Sequence, residues 1–80
     1  MNIHILLFGI ATDLIGTSSL EFEIPADSTV ANFKKAFQDS YPKLSQMNSY
    51  AIAINESYAT DDQLLKENDV VAIIPPVSGG

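Results

Sequence analysis

The residues with the most distinctive chemistry stand together at the end of the sequence, Pro75-Pro76-Val77-Ser78-Gly79-Gly80. Two prolines favour an extended polyproline path and cannot continue a sheet ladder, so they direct the chain away from whatever precedes them. Gly79 and Gly80 lack Cβ atoms, which lets them thread a narrow channel while another active site closes around the backbone. The α-carboxylate of Gly80 is then expected to be a reactive handle on a thin, stiff probe. Joined to AMP as a mixed anhydride it becomes an acyl donor. Exchanged for sulfide it becomes a thiocarboxylate, a soft nucleophile that is ionised at neutral pH. The sequence has no cysteine, which excludes disulfides, thiolate metal sites and a persulfide on this chain, and leaves that carboxylate as the expected place to hold transferable sulfur.

No other cluster competes with the tail. His4 is the only histidine, and without a second ligand at metal spacing it reads as structural. Asp61-Asp62 with Glu67 and Asp69 do not match a calcium loop and read as a solvated acidic stretch. Ser78 has no His/Asp pair to activate it. A glycine-rich phosphate loop is missing, so pockets for ATP or another small substrate are expected on partner proteins, with no cofactor or metal bound by this chain.

At 80 residues the chain has room for one modest core. An apolar share of 46% suits a globular domain. No apolar run approaches the roughly 18 residues of a membrane span, and Met1-Asn2-Ile3-His4 does not resemble a signal peptide, so the expectation is a soluble, cytoplasmic protein. Ten acidic residues against four lysines give a net charge of -6. That balance repels nucleic acid and anionic membranes. A basic protein partner is its natural complement, although the charge also serves solubility alone.

The elements that must position the tail follow from apolar periodicity. Residues 3–8 are apolar on both faces, as in a central strand. Residues 9–17 read as a loop turning at Gly16. Ser19 to Ile24 alternates, with Leu20, Phe22 and Ile24 inward, and forms a hairpin with the first strand. After Pro25, the cap candidates Asp27, Ser28 and Thr29 precede a helix carrying the stripe Val30, Phe33, Phe37 and Tyr41, which Pro42 ends. Ser45 to Ser49 is a polar loop, Tyr50 to Ile54 a third strand, Asn55-Glu56 a turn, and Tyr58 lies in a short fourth strand. Leu64 and Leu65 read as a buried helical turn, and Asp69 to Ile74 as the last strand. One helix on a mixed sheet of about five strands, with the first and last strands side by side, is the α+β ubiquitin-like β-grasp. It divides the chain into a domain over 1–74 and an extended tail over 75–80.

A single helix covers one face of such a sheet. Ile3, Ile5, Leu7, Val71 and Ile73 are assigned to the covered face, and Phe8, Tyr58 and Ile74 to an uncovered docking patch near the tail. The alternative is that the 45–49 loop folds over these residues.

The segment Ala53-Ile54-Asn55, the run from Asn68 to Gly80 ending Pro-Pro-Val-Ser-Gly-Gly, and Leu6-Leu7-Phe8-Gly9 followed by Asp13-Leu14-Ile15-Gly16 together resemble the small, sulfur-carrying subunits of molybdopterin synthase over nearly the whole chain. The resemblance implies that an E1-like enzyme adenylates Gly80 with ATP, and that a sulfurtransferase or cysteine desulfurase supplies sulfur for the thiocarboxylate. It further implies that the large catalytic subunit admits the tail 75–80, so that sulfur reaches cyclic pyranopterin monophosphate. The chain itself would be no enzyme on its own. Carriers of the same fold that serve thiamin, cysteine or tRNA thiolation, and ubiquitin-type modifiers, are the alternatives. Thr12 stands where these subunits often carry arginine, Asn68 where glycine is usual, and Ile73-Ile74 where an aromatic pair is common.

Overall fold

The apolar alternation of the first residues folds as β1 (Asn2–Leu7), with Ile3, Ile5 and Leu7 buried and His4 and Leu6 half-buried on the other side. The computed structural model describes residues 1–47 and 49–76. After β1 come α1 (Ile10–Ile15), β2 (Ser19–Glu23), α2 (Val30–Ser40), a 3-10 helix (Pro42–Gln46), β3 (Ala51–Ile54), β4 (Ser57–Tyr58) and β5 (Val70–Ile74). The strands form one five-stranded sheet in the order β2-β1-β5-β3-β4. β1 and β5 run parallel at its centre, pairing Leu6 with Ala72 and Leu7 with Ile73; the other pairings are antiparallel. This is the β-grasp arrangement expected from the sequence.

A reciprocal capping box starts α2. The Thr29 hydroxyl accepts from the Asn32 N–H at 3.2 Å, and the Asn32 side chain accepts from the Thr29 N–H at 3.0 Å. Of the three cap candidates, Thr29 therefore takes the role, a substitution-sensitive contact of about 1 kcal/mol. Val30, Phe33 and Phe37 on the helix's apolar stripe are fully buried against Ile3, Ile5, Val71 and Ile73. Phe33 and Phe37 stack with centroids 5.1 Å apart, and Phe22 of β2 meets both edge-on. Truncating either buried phenylalanine to alanine should remove about 3–5 kcal/mol.

Three segments depart from the sequence reading. Residues 9–17 contain α1, a helix with only Ala11 buried and Leu14 and Ile15 half-buried; the 11/14/15 spacing is its faint helical signal. Gly16 does turn the chain, as the left-handed C-cap whose N–H bonds Thr12 O at 2.8 Å. Leu64 and Leu65 form no helical turn. The backbone there is bridged to Thr29, with Leu65 N–H on Ser28 O at 2.9 Å. Extended backbone sends neighbours to opposite sides, so Leu65 is buried while Leu64 is 55% exposed. The polar 45–49 stretch is anchored by its apolar neighbours: Leu44 in the 3-10 helix and Met47 after it are buried. That helix packs on α1 and α2, the helical side of the sheet, and the described part of the 45–49 stretch leaves Phe8 exposed. Asn48 lies outside the described residues.

Candidate functional site

The site is built where β1 and β5 end side by side. Because the strands are parallel and Leu7 pairs with Ile73, Phe8, Gly9, Ile74 and Pro75 fall together at one edge of the fold. Gly9 turns the chain into α1 at φ 54, a region open to glycine but strained for other residues. A Cβ there would sit 3.4 Å from Pro75 Cγ, so the proline ring rests against the β1–α1 turn. Thr12 secures that turn, its hydroxyl donating to Leu7 O at 2.9 Å. Pro75 is half-buried and Pro76 exposed, so the tail leaves the domain one residue later than a freely departing segment would. Val77, Ser78, Gly79 and Gly80 lie outside the described residues.

On the face of the sheet away from α2, the pairings Leu6–Ala72, Ala53–Ala72 and Ala53–Tyr58 line up one row across four strands. Two methyl side chains in the middle of that row leave a depression. It becomes a groove of about 330 Å³ floored by Leu6, Ala53, Val70 and Ala72 and walled by Phe8, Tyr58 and Ile74, with Glu56 on its rim. Phe8 is 48% and Tyr58 75% exposed, while Ile74 is half-buried. The three residues assigned to the patch from sequence thus meet in one groove. Ala53 and Glu56 were not foreseen; the small side chain at Ala53, opposite Ala72, was the available signal for the concavity. A larger, more open hollow of about 450 Å³ lies between residues 24–28 and Asn32, Lys35, Ala36 and Asp39 of α2, away from the tail root.

Below the groove the loop before β5 is clamped in place. The Asp69 carboxylate accepts from Lys66 N–H at 2.8 Å and from the Asn55 side-chain amide at 3.0 Å, and the Asn55 oxygen accepts from Val70 N–H at 3.0 Å. Asn68 takes φ 68, keeping the left-handed turn for which asparagine is tolerated. The acidic residues are used structurally. Asp61 pairs with Lys34 at 2.9 Å, and the Thr60 hydroxyl donates to Asp62 and holds its carboxyl below the usual range. His4 faces Glu21 across the β1–β2 pair at 3.4 Å. Among the described residues no group of three His, Asp or Glu side chains is placed to hold a metal.

The sequence profile of the ThiS family matches residues 5–80. The chain belongs to the ThiS family. Two curated relatives are both called molybdopterin synthase sulfur carrier subunit. The Arabidopsis thaliana protein is 36% identical over 100% of this chain and 84% of its own length. The Dictyostelium discoideum protein is 40% identical over 95% and 93% respectively. The fold agrees with that of a Pyrococcus furiosus protein described as a molybdopterin converting factor subunit 1, at TM-score 0.87 and 24% identity over 96% of this chain and 99% of that one. A Helicobacter pylori chain, solved in a complex of subunits 1 and 2 of the molybdopterin-converting factor, matches at TM-score 0.71 and 23% identity over the whole of both chains. No helix of the described ThiS-family chain is long and apolar enough to cross a membrane.

Proposed function

We propose that this chain is the sulfur-carrying small subunit of a molybdopterin synthase. The observation that carries the reading is the groove walled by Phe8, Tyr58 and Ile74 immediately beside Pro75, where the tail leaves the domain. A partner seated on that groove receives whatever follows Pro76. Relatives that align over 95–100% of this chain and bear the name of the sulfur carrier subunit support it.

In this reading the Gly80 carboxylate attacks the α-phosphate of ATP on an E1-like enzyme, releasing pyrophosphate and leaving an acyl-adenylate. A persulfide on a sulfurtransferase or cysteine desulfurase then displaces AMP to give an acyl disulfide, and a thiol cleaves its S–S bond, leaving Gly80 as a thiocarboxylate and the donor enzyme in a mixed disulfide with that thiol. The β-grasp domain docks on the large catalytic subunit through Phe8, Tyr58 and Ile74. Residues Pro75 to Gly79 serve as the thread that brings Gly80 to cyclic pyranopterin monophosphate. In this reading the pockets for ATP and pterin belong to the partners, and the carrier is not catalytic by itself. The stiffness of Pro75-Pro76 matters here because positioned chemistry tolerates little error in reach. The test is replacement of a known small subunit by this chain in cells lacking it. Restored activity of a molybdopterin-dependent enzyme supports the reading. A stable, expressed chain that binds no large subunit and restores nothing sinks it.

A further inference from the structure

Glu56 follows Asn55 in the two-residue turn between β3 and β4, and the pair have φ 74 and φ 50. Left-handed backbone at both positions is the hairpin geometry whose second residue is by preference glycine. A glutamate there holds a conformation that disfavours its Cβ, and the described residues offer it no compensating ion pair: those present join His4–Glu21, Lys34–Asp61 and Lys35–Asp39. What the position does give Glu56 is a place on the rim of the docking groove, over Leu6 and Val70.

Three of the four lysines, Lys34 and Lys35 on α2 and Lys43 on the 3-10 helix, lie on the helical side of the sheet, together with Asp13 and Asp39, and the fourth, Lys66, lies in the loop before β5. The groove side has Glu56 at the β4 end, and exposed Glu21 and Glu23 on β2 at the other. An apolar centre between acidic flanks fits a partner whose apolar contact is bordered by lysine or arginine.

We propose that Glu56 is a specificity-determining residue of the docking surface, pairing with a basic side chain that borders the apolar contact on the large synthase subunit, with Glu21 and Glu23 adding to the attraction from the opposite flank. The inference rests on the docking reading above and adds the partner's charge. The apolar groove supplies contact area, and the acidic rim rejects surfaces that match in shape but not in charge.

The variants E56Q and E56G separate charge from backbone. Affinity for the purified large subunit of the same organism is measured by titration calorimetry at low and high salt, beside thermal melts of the free carrier. E56Q keeps the strained backbone and loses the charge. It should melt like the parent chain and bind about tenfold more weakly at low salt, the gap narrowing as salt screens the pair. E56G should melt about 2–6 °C higher, since the turn is relieved, yet bind as weakly as E56Q. Parent-like affinity in both variants at every salt concentration overturns the inference and leaves the docking reading standing. A parent chain that does not bind the large subunit at all removes the docking reading, and the inference falls with it.

Discussion

Gly9 and Pro75 meet where the two central strands end, with the Pro75 ring 3.4 Å from the point a Gly9 Cβ would occupy. That spacing is ordinary van der Waals contact, so a methyl group would fit. The φ of 54 at Gly9 is the stronger constraint. Gly9→Ala is therefore expected to lower stability by about 1–2 kcal/mol through backbone strain, with Pro75 still seated on the turn. Urea unfolding measures the loss; a stability equal to the parent's would show that the turn relaxes freely.

Phe8 and Ile74 wall the groove without entering the core. Phe8→Ala and Ile74→Ala should each weaken binding to the large subunit and to the activating enzyme by about 1–3 kcal/mol, with little change in melting temperature. Were these core residues, truncation would instead remove about 2–5 kcal/mol of stability. Calorimetric titrations paired with melts distinguish the two, and unchanged affinity in both variants would refute the docking assignment.

Asn55 and Asp69 hold the loop before β5 through three hydrogen bonds that they share with Lys66 and Val70. Asp69→Ala should lower stability by about 1–2 kcal/mol. Because the two side chains act as one unit, Asn55→Ala combined with Asp69→Ala should lose less than the sum of the single losses. Strict additivity in the double-mutant cycle would show that the contacts are independent.

Burial pushes the Tyr50 phenol above its ordinary value of 10.0. The folded state therefore keeps the proton that the unfolded chain gives up. The resulting stability is fully present below the unfolded pKa and is lost as pH rises through the higher folded value. Denaturant unfolding from neutral pH into the alkaline range should show a steeper decline above pH 10 in the parent than in Tyr50→Phe. Parallel curves would mean the phenol ionises equally in both states.

Much of this arrangement was legible in the sequence because it rests on strong periodicity. Ile3, Ile5, Leu7, Val71 and Ile73 could be sorted from Phe8 and Ile74 by alternation alone, and the Phe33/Phe37 stripe marked α2. What escaped depended on context. α1 is too short for its Ala11/Leu14/Ile15 spacing to stand out. Leu64 and Leu65 are adjacent apolar residues that only the bridge to Thr29 separates into one exposed and one buried. The groove needs the cross-strand register that brings Ala53 beside Ala72, and the strained turn at Glu56 is a backbone property with no compositional sign. The half-burial of Pro75 depends on Gly9, distant in sequence and adjacent only once β1 and β5 pair in parallel.

The central claim is that Gly80 carries the sulfur, and the intact mass of the chain tests it most directly. The carrier and a version lacking Gly80 are incubated with ATP, sulfide and the activating enzyme. The full chain should gain the mass of one sulfur-for-oxygen replacement. The shortened chain, whose reach falls short by about 3.3 Å, should gain none while remaining folded. Covalent conjugates to other proteins in place of that gain would identify a modifier. No mass change in the full chain, under conditions where the same enzyme charges a known carrier, would contradict the account.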